Sequence, residues 1–337
     1  MKKIFVTGGA GFLGFSTAKR LLETGHQVVA IDNLNPYYSV KLKEARLAIL
    51  KQYSACQFER VDLMEKKKIE EIFAWFKPEC VIHFAAQAGV RYSLTNPYSY
   101  VESNVSGMVP ILESCRKYGV YHFLLASSSS VYGMNRQIPF KVSDPADHPV
   151  SIYAATKKAA ELIAHAYSHL FSIPISCMRF FTVYGPWGRP DMAYYKFAQS
   201  IFLNKSIDVY GEGKLKRDYT YVDDVVEAII RLMDRAPQRQ RESEIDGMNP
   251  SVSTAPFRIH NIGNRQPAEV IDLVKLIEKY MGKKATIHYL PIPPGDVELT
   301  YADTSTLEKE IGYAPTTSLE EGICRFVEWF LKEGYLF

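Results

Sequence analysis

The stretch Lys3-Ile4-Phe5-Val6-Thr7-Gly8-Gly9-Ala10-Gly11-Phe12-Leu13-Gly14 decides the fold. A strand-like run, Lys3–Val6, enters a glycine-rich turn from which a helix-like stretch, Phe12–Leu22, departs. Gly8, Gly11 and Gly14 let the backbone turn tightly, approach a pyrophosphate and pack helix on strand. The helix N-terminus then faces the phosphate charge. Glycines alone are weak evidence, because a flexible turn has the same composition. Here the strand, the turn and the helix come in the right order, and Asp32 ends a second strand about 20 residues on, where an acid takes the ribose hydroxyls. Asp32 would repel a 2′-phosphate, and no arginine follows it at once, so NAD is expected rather than NADP. Asn33 adjoins it. Asp62 and Leu63, after a third strand, are candidates for the adenine side, and a helix cap is the plainer role for Asp62.

Outward from that unit, strand-like runs recur at Gln27–Ile31, Cys80–Phe84, His122–Ala126 and Ile175–Phe180. Helix-like stretches fall at Ile69–Trp75, Pro110–Lys117, Ala154–His169, Asp223–Met233, Ile271–Met281 and Glu320–Lys332. Parallel strands need crossovers, so this alternation implies an α/β, doubly wound parallel sheet of the Rossmann type with a second, smaller substrate domain. The expected division gives residues 1–181, with returning segments near 218–235 and 257–264, to the NAD-binding domain. Residues 182–217 and 265–337 form the substrate domain. The segment 236–256, rich in Gln, Arg, Ser, Glu and Pro without periodicity, reads as an exposed insertion.

Lys and Arg (40) nearly cancel Asp and Glu (37), and the net charge of +3 argues against bulk binding to nucleic acid or membrane. No apolar run reaches the roughly 18–20 residues of a membrane span. The apolar strand begins at Ile4, so no N-terminal leader is expected. The five scattered cysteines suit neither a disulfide framework nor a zinc site and suggest a cytoplasmic protein with reduced thiols. The eight histidines show no metal-ligand spacing, so no metal is expected.

Tyr153 and Lys157 stand four apart on one helix face. By itself that spacing describes many solvated helices. Upstream, Ser127–Ser130 ends a strand at the carboxyl edge where such sheets bind ligands. Four serines there are costly to bury without hydrogen bonds. A hydroxyl, a phenol and an ammonium beside a dinucleotide are the groups that reversible alcohol oxidation needs. Lys157 and the cationic nicotinamide would lower the Tyr153 pKa toward neutrality, giving a phenolate base.

Several segments together identify a resemblance. They are Thr7–Gly14, His83–Ser93, Ser127–Gly133, Tyr153–Lys157, Arg179–Met192 and Arg217–Asp224. On these the chain resembles the extended short-chain dehydrogenase/reductase family. Within it, the chain is similar to NAD-dependent sugar-nucleotide epimerases, and among those to bacterial UDP-glucuronate 4-epimerases. The resemblance implies Ser128 as the catalytic hydroxyl, three residues before the Val of Val131-Tyr132-Gly133, with Tyr153 as base and Lys157 as its support. It places Ala85, Ala86 and Gln87 next to the pyrophosphate and Asn104 near the nicotinamide. It also implies that Arg217 grips the diphosphate, that Val209 and Tyr210 lie beside uracil, and that Asp296 binds ribose. A homodimer built on a four-helix bundle near Pro97–Lys117 and Ala154–Phe171 is implied as well.

Dehydratases and decarboxylases of the family carry an acid just after the catalytic hydroxyl. Here those positions are Ser129 and Ser130, which favours epimerisation at C4 through a 4-keto sugar. Thr182 replaces the Asn usual in glucose/galactose epimerases. Ser129, Ser130, Thr182 and Arg189 are the candidates to receive a C5 carboxylate, although Arg189 also suits a plain loop salt bridge. The second phosphate-binding arginine of glucose/galactose epimerases is Pro293 here. Thr300 stands where they often carry a larger gate, so UDP-glucose and UDP-N-acetylhexosamines stay open as substrates. So does a non-catalytic NAD-binding scaffold on the same fold. Arg91 and Tyr92 fit a sugar pocket or a structural role equally.

Overall fold

The structure is a computed structural model and describes residues 1–245, 249–292 and 297–337. Its strands in chain order are β1 (Lys3–Thr7), β2 (Gln27–Asp32), β3 (Cys56–Arg60), β4 (Cys80–His83), β5 (His122–Ser128), β6 (Ile175–Phe180), β7 (Thr182–Tyr184), β8 (Ser206–Tyr210), β9 (Lys216–Tyr221), β10 (Phe257–Ile262), β11 (Pro267–Glu269) and β12 (Thr286–Leu290). Seven of them form one sheet, in the order β10-β6-β5-β4-β1-β2-β3. Every pairing in it is parallel. The order reverses at β1 between β2 and β4, and the crevice above that switch point is where open α/β sheets hold ligands.

β1, β4, β5 and β6 are buried along nearly their whole length, as strands covered by helices on both faces must be. Helices Phe12–Glu23 and Val222–Met233 cover one face. Lys66–Phe76, Met108–Tyr118 and Ile152–Phe171 cover the other. The Ser151 hydroxyl caps the last of these, accepting from the Ala154 N–H at 3.1 Å. It therefore begins one turn before Lys157, with Tyr153 in its first turn.

Beyond β6 the chain builds two small sheets, β11-β9-β7 and β12-β8. They pack with helices Ala193–Phe202, Val270–Met281 and Leu319–Lys332. One apolar cluster runs from Ile4 and Val28 through Val225 and Ile229 to Phe326 and Phe330, so large and small sheets share a core. β9 straddles the division expected at 217/218. The expectation of an exposed insertion at 236–256 fails at its C-terminal end. Ser251 and Ala255 are buried, and the Ser251 carbonyl accepts from the Ile259 N–H at 3.1 Å, because this segment pairs along β10. Its residues 246–248 lie outside the described residues. Among the described residues no helix is long and apolar enough to cross a membrane.

Candidate active site

Above the switch point lies a cavity of about 770 Å³. Its floor is the glycine turn. Gly8 has φ +69°, and a Cβ on it would lie 2.8 Å from the Ala85 nitrogen. A Cβ on Gly14 would lie 2.0 Å from the Gly8 carbonyl oxygen. Only glycine permits this closeness, and the first helical turn carries no side-chain cap, so its N–H groups remain for an anion. Gly11, Phe12 and Leu13 line the same floor.

Asp32 ends β2 at the cavity's edge. Its carboxylate accepts from the N–H of Ala10 at 3.2 Å and of Leu34 at 2.8 Å. Lys43 Nζ stands 3.5 Å away and is itself buried. Asn33 donates to Asp62 at 2.7 Å, which fixes both beside Leu63 in the wall. Ala85, Ala86 and Gln87 form the opposite wall after β4. Asn104 does not itself line the cavity. It sits behind the cavity in a wide π-type turn, Glu102–Ser106. There it accepts from the Gln87 N–H at 2.7 Å and donates to the Gln87 carbonyl at 3.1 Å and to Thr156 at 3.0 Å. It therefore joins the Ala85–Gln87 loop to the helix bearing Tyr153.

Ser128, Tyr153 and Lys157 converge on the cavity. The Tyr153 phenol and the Ser128 hydroxyl line the same cavity wall. Burial pushes the phenol's pKa up, while Ser128 and the Arg189 guanidinium pull it down. Lys157 donates to the Ala126 carbonyl at 2.9 Å. Burial first, and Arg189 second, lower its pKa to about 8. The side-chain cation that lowers the phenol's pKa here is Arg189, where the sequence pointed to Lys157 together with the nicotinamide.

Beneath these groups, Glu161, one helical turn past Lys157, holds Arg179 of β6 through two hydrogen bonds of 2.9 Å. It also accepts from Ser127 at 2.6 Å. Burial disfavours its charge, but Arg179 and Ser127 outweigh that and keep its pKa low. The clamp ties β5, β6 and the catalytic helix together directly below the reacting groups.

Ser129, Ser130 and Thr182 line the cavity beside Tyr153. Ser128 donates to Ser130 at 3.1 Å. Arg189 lines it too, and also makes the loop salt bridge, donating to Asp191 at 2.9 and 2.5 Å. Arg217 reaches the far end, its Nη1 donating to the Lys216 carbonyl at 2.9 Å. Val209 is fully buried and does not line the cavity, because β8 turns that side chain into the core. Tyr210 is engaged by Arg91, whose guanidinium lies 4.6 Å from its ring centroid. Thr300 lines the cavity and is tied down by the Asp218 N–H at 3.1 Å. Asp296 and Pro293 lie outside the described residues.

Sequence reasoning passed over Tyr37, Lys43, Arg46 and Asp191. Arg46, fully buried, donates to the Ala10 carbonyl at 2.8 Å and to the Trp187 carbonyl at 2.6 Å. It thereby joins the glycine turn to the turn that carries Arg189. The spacing of Lys43 and Arg46, three apart on a helix after the ribose acid, was the available signal.

A glycine cradle, a ribose acid and a Ser-Tyr-Lys set in one crevice define a dinucleotide-dependent protein acting on an alcohol carbon. The chain belongs to the NAD dependent epimerase/dehydratase family, whose model matches residues 4–245. It is 46% identical over 329 residues, 97% of this chain and 96% of the relative, to a probable UDP-glucuronate 4-epimerase of Rhizobium meliloti (strain 1021). Its fold is similar to the Bacillus cereus UDP-glucuronic acid 4-epimerase in complex with UDP-glucuronic acid and NAD, with TM-score 0.86, 31% identity and 98% and 99% of the two chains covered. It is also similar to the Thermotoga maritima UDP-glucose 4-epimerase with UDP-glucose, with TM-score 0.84, 29% identity and 98% and 99% coverage.

Proposed function

We propose that the protein inverts C4 of UDP-glucuronate, giving UDP-galacturonate through a 4-keto sugar. The observation that carries this reading is one cavity wall holding the Ser128–Tyr153 pair and Arg189, with serines where an eliminating enzyme keeps an acid. NAD, held by the glycine cradle and Asp32, supplies reversible hydride acceptance. Tyr153 takes the 4-hydroxyl proton and later returns it, and Ser128 bridges sugar oxygen and phenol. Lys157 keeps positive charge near the phenolate. Ser129, Ser130 and Thr182 offer hydroxyls, and Arg189 a guanidinium, to the C5 carboxylate. The oxidised sugar is a β-keto acid, and this cluster would hold the carboxylate out of alignment with the ketone. Arg217 serves the diphosphate, with Asp296 proposed for the ribose and Tyr210, at the end of β8, for the uracil side.

The division into NAD-binding and substrate parts is proposed on the same grounds. A homodimer is proposed from the apolar stripe Ile152, Leu162 and Leu170 on the catalytic helix, with Tyr98 and Val101 beside it, all exposed. Five free thiols support a cytoplasmic location.

The test is purified protein with UDP-glucuronate, UDP-glucose and UDP-N-acetylglucosamine, products read by NMR. Conversion of UDP-glucuronate, lost in Tyr153→Phe by about 10²–10⁴-fold, is expected. Conversion of only the neutral sugars would overturn the substrate assignment, and no conversion of any would favour a scaffold.

A further inference from the structure

Tyr37 and Asp191 belong to segments distant in sequence, yet they meet beside the sugar pocket. Asp191 occupies the Nε and one Nη2 N–H of Arg189, at 2.9 and 2.5 Å. The Tyr37 hydroxyl donates to the same carboxylate at 3.1 Å. Burial alone would raise the Asp191 pKa, but Arg189 and Tyr37 hold it below the usual carboxylate range, so the pair stays charged. A guanidinium has five N–H donors. Those that Asp191 leaves, on Nη1 and the outer side of Nη2, form a second planar fork of the kind a carboxylate accepts.

The surroundings are shaped around this contact. Gly89 has φ +95°, and a Cβ on it would lie 2.2 Å from the Tyr37 hydroxyl. Tyr100 fixes that loop by donating to the Ala88 carbonyl at 2.8 Å. Arg46 fixes the other side through the Gly188 carbonyl at 3.1 Å. Tyr37 also packs at a tilt against Tyr92, ring centroids 4.9 Å apart. A residue of the loop that follows the ribose acid thus anchors the guanidinium at the reaction centre.

We propose that Asp191 and Tyr37 are positioning residues for acidic-sugar selectivity, holding Arg189 so that its remaining fork meets the C5 carboxylate. This rests on the function proposed above. In this proposal both act through Arg189, although Tyr37 also lines the cavity. A fixed fork gains from a carboxylate and little from a hydroxymethyl group, so selectivity depends on the hold.

The test uses the NAD-bound Tyr153→Phe protein, which binds without turnover. Affinities for UDP-glucuronate and UDP-glucose are measured by calorimetry, alone and with Asp191→Ala or Tyr37→Phe added. Their ratio within one sample cancels differences in folded fraction. Asp191→Ala should lower the glucuronate preference about tenfold or more, and Tyr37→Phe about threefold, with UDP-glucose affinity nearly unchanged. An unchanged or increased preference in Asp191→Ala overturns the proposal. A parent protein that shows no preference for UDP-glucuronate overturns the substrate reading instead.

Discussion

At the scale of single residues, the site is governed by one cation. Arg189 lowers the pKa of both Tyr153 and Lys157, against burial in the first case and with it in the second. Removing that charge must therefore raise the pKa of the phenol. In Arg189→Met, the acid limb of kcat at saturating UDP-glucuronate should move to higher pH. A pH–rate profile of the NAD-bound protein checks this, and a limb that stays or moves to lower pH would contradict it. Gly14 offers a second residue-scale prediction. Gly14→Ala puts a carbon 2.0 Å from the Gly8 carbonyl oxygen, so the turn must open. The purified variant should lose most of its bound NAD, measured by absorbance after denaturation.

At the scale of elements, much was legible beforehand. The helices Ile152–Phe171 and Val222–Met233 and the strands β1, β2, β4, β5 and β6 lie within a few residues of their apolar patterns, because one buried face writes a period into the sequence. The helix Val40–Leu50 was not foreseen. Its buried face carries Lys43 and Arg46 among Leu42, Leu47 and Leu50, so the apolar period is blurred by side chains that serve the site. Asp191 and Tyr37 were hidden for another reason. They are 154 positions apart, and only the folded chain brings them together. Asn104, placed near the nicotinamide by resemblance, makes its hydrogen bonds to the Gln87 backbone and to Thr156. The Glu161–Arg179 clamp carries the element-scale prediction. Glu161→Gln strands a buried arginine and should cost about 3–5 kcal/mol, whereas the apolar pair Glu161→Leu with Arg179→Met should recover most of that loss. Denaturant midpoints of the three proteins decide it.

At the scale of the whole molecule, buried histidines set the response to acid. Burial lowers the pKa of His83 and His260 from 6.5 to about 3, and that of His122 to about 4. Neither ring nitrogen of His260 finds a hydrogen-bond partner among the described residues. The unfolded chain binds these protons below pH 6.5 while the folded one refuses them, so stability falls as pH drops from 6.5 toward 3–4. The urea midpoint should decline steadily between pH 7 and 5, and His260→Leu should flatten the decline. Light scattering should find twice the chain mass of 38.3 kDa, and Leu162→Glu with Leu170→Glu should halve it. One continuous core joins the large sheet to the two small ones, so the walls of the cavity belong to a single packed body. The most direct measurement is turnover of UDP-glucuronate carrying deuterium at C4 in ordinary water. The UDP-galacturonate formed should keep its deuterium at C4, and label lost to solvent would contradict a single enclosed transfer and return.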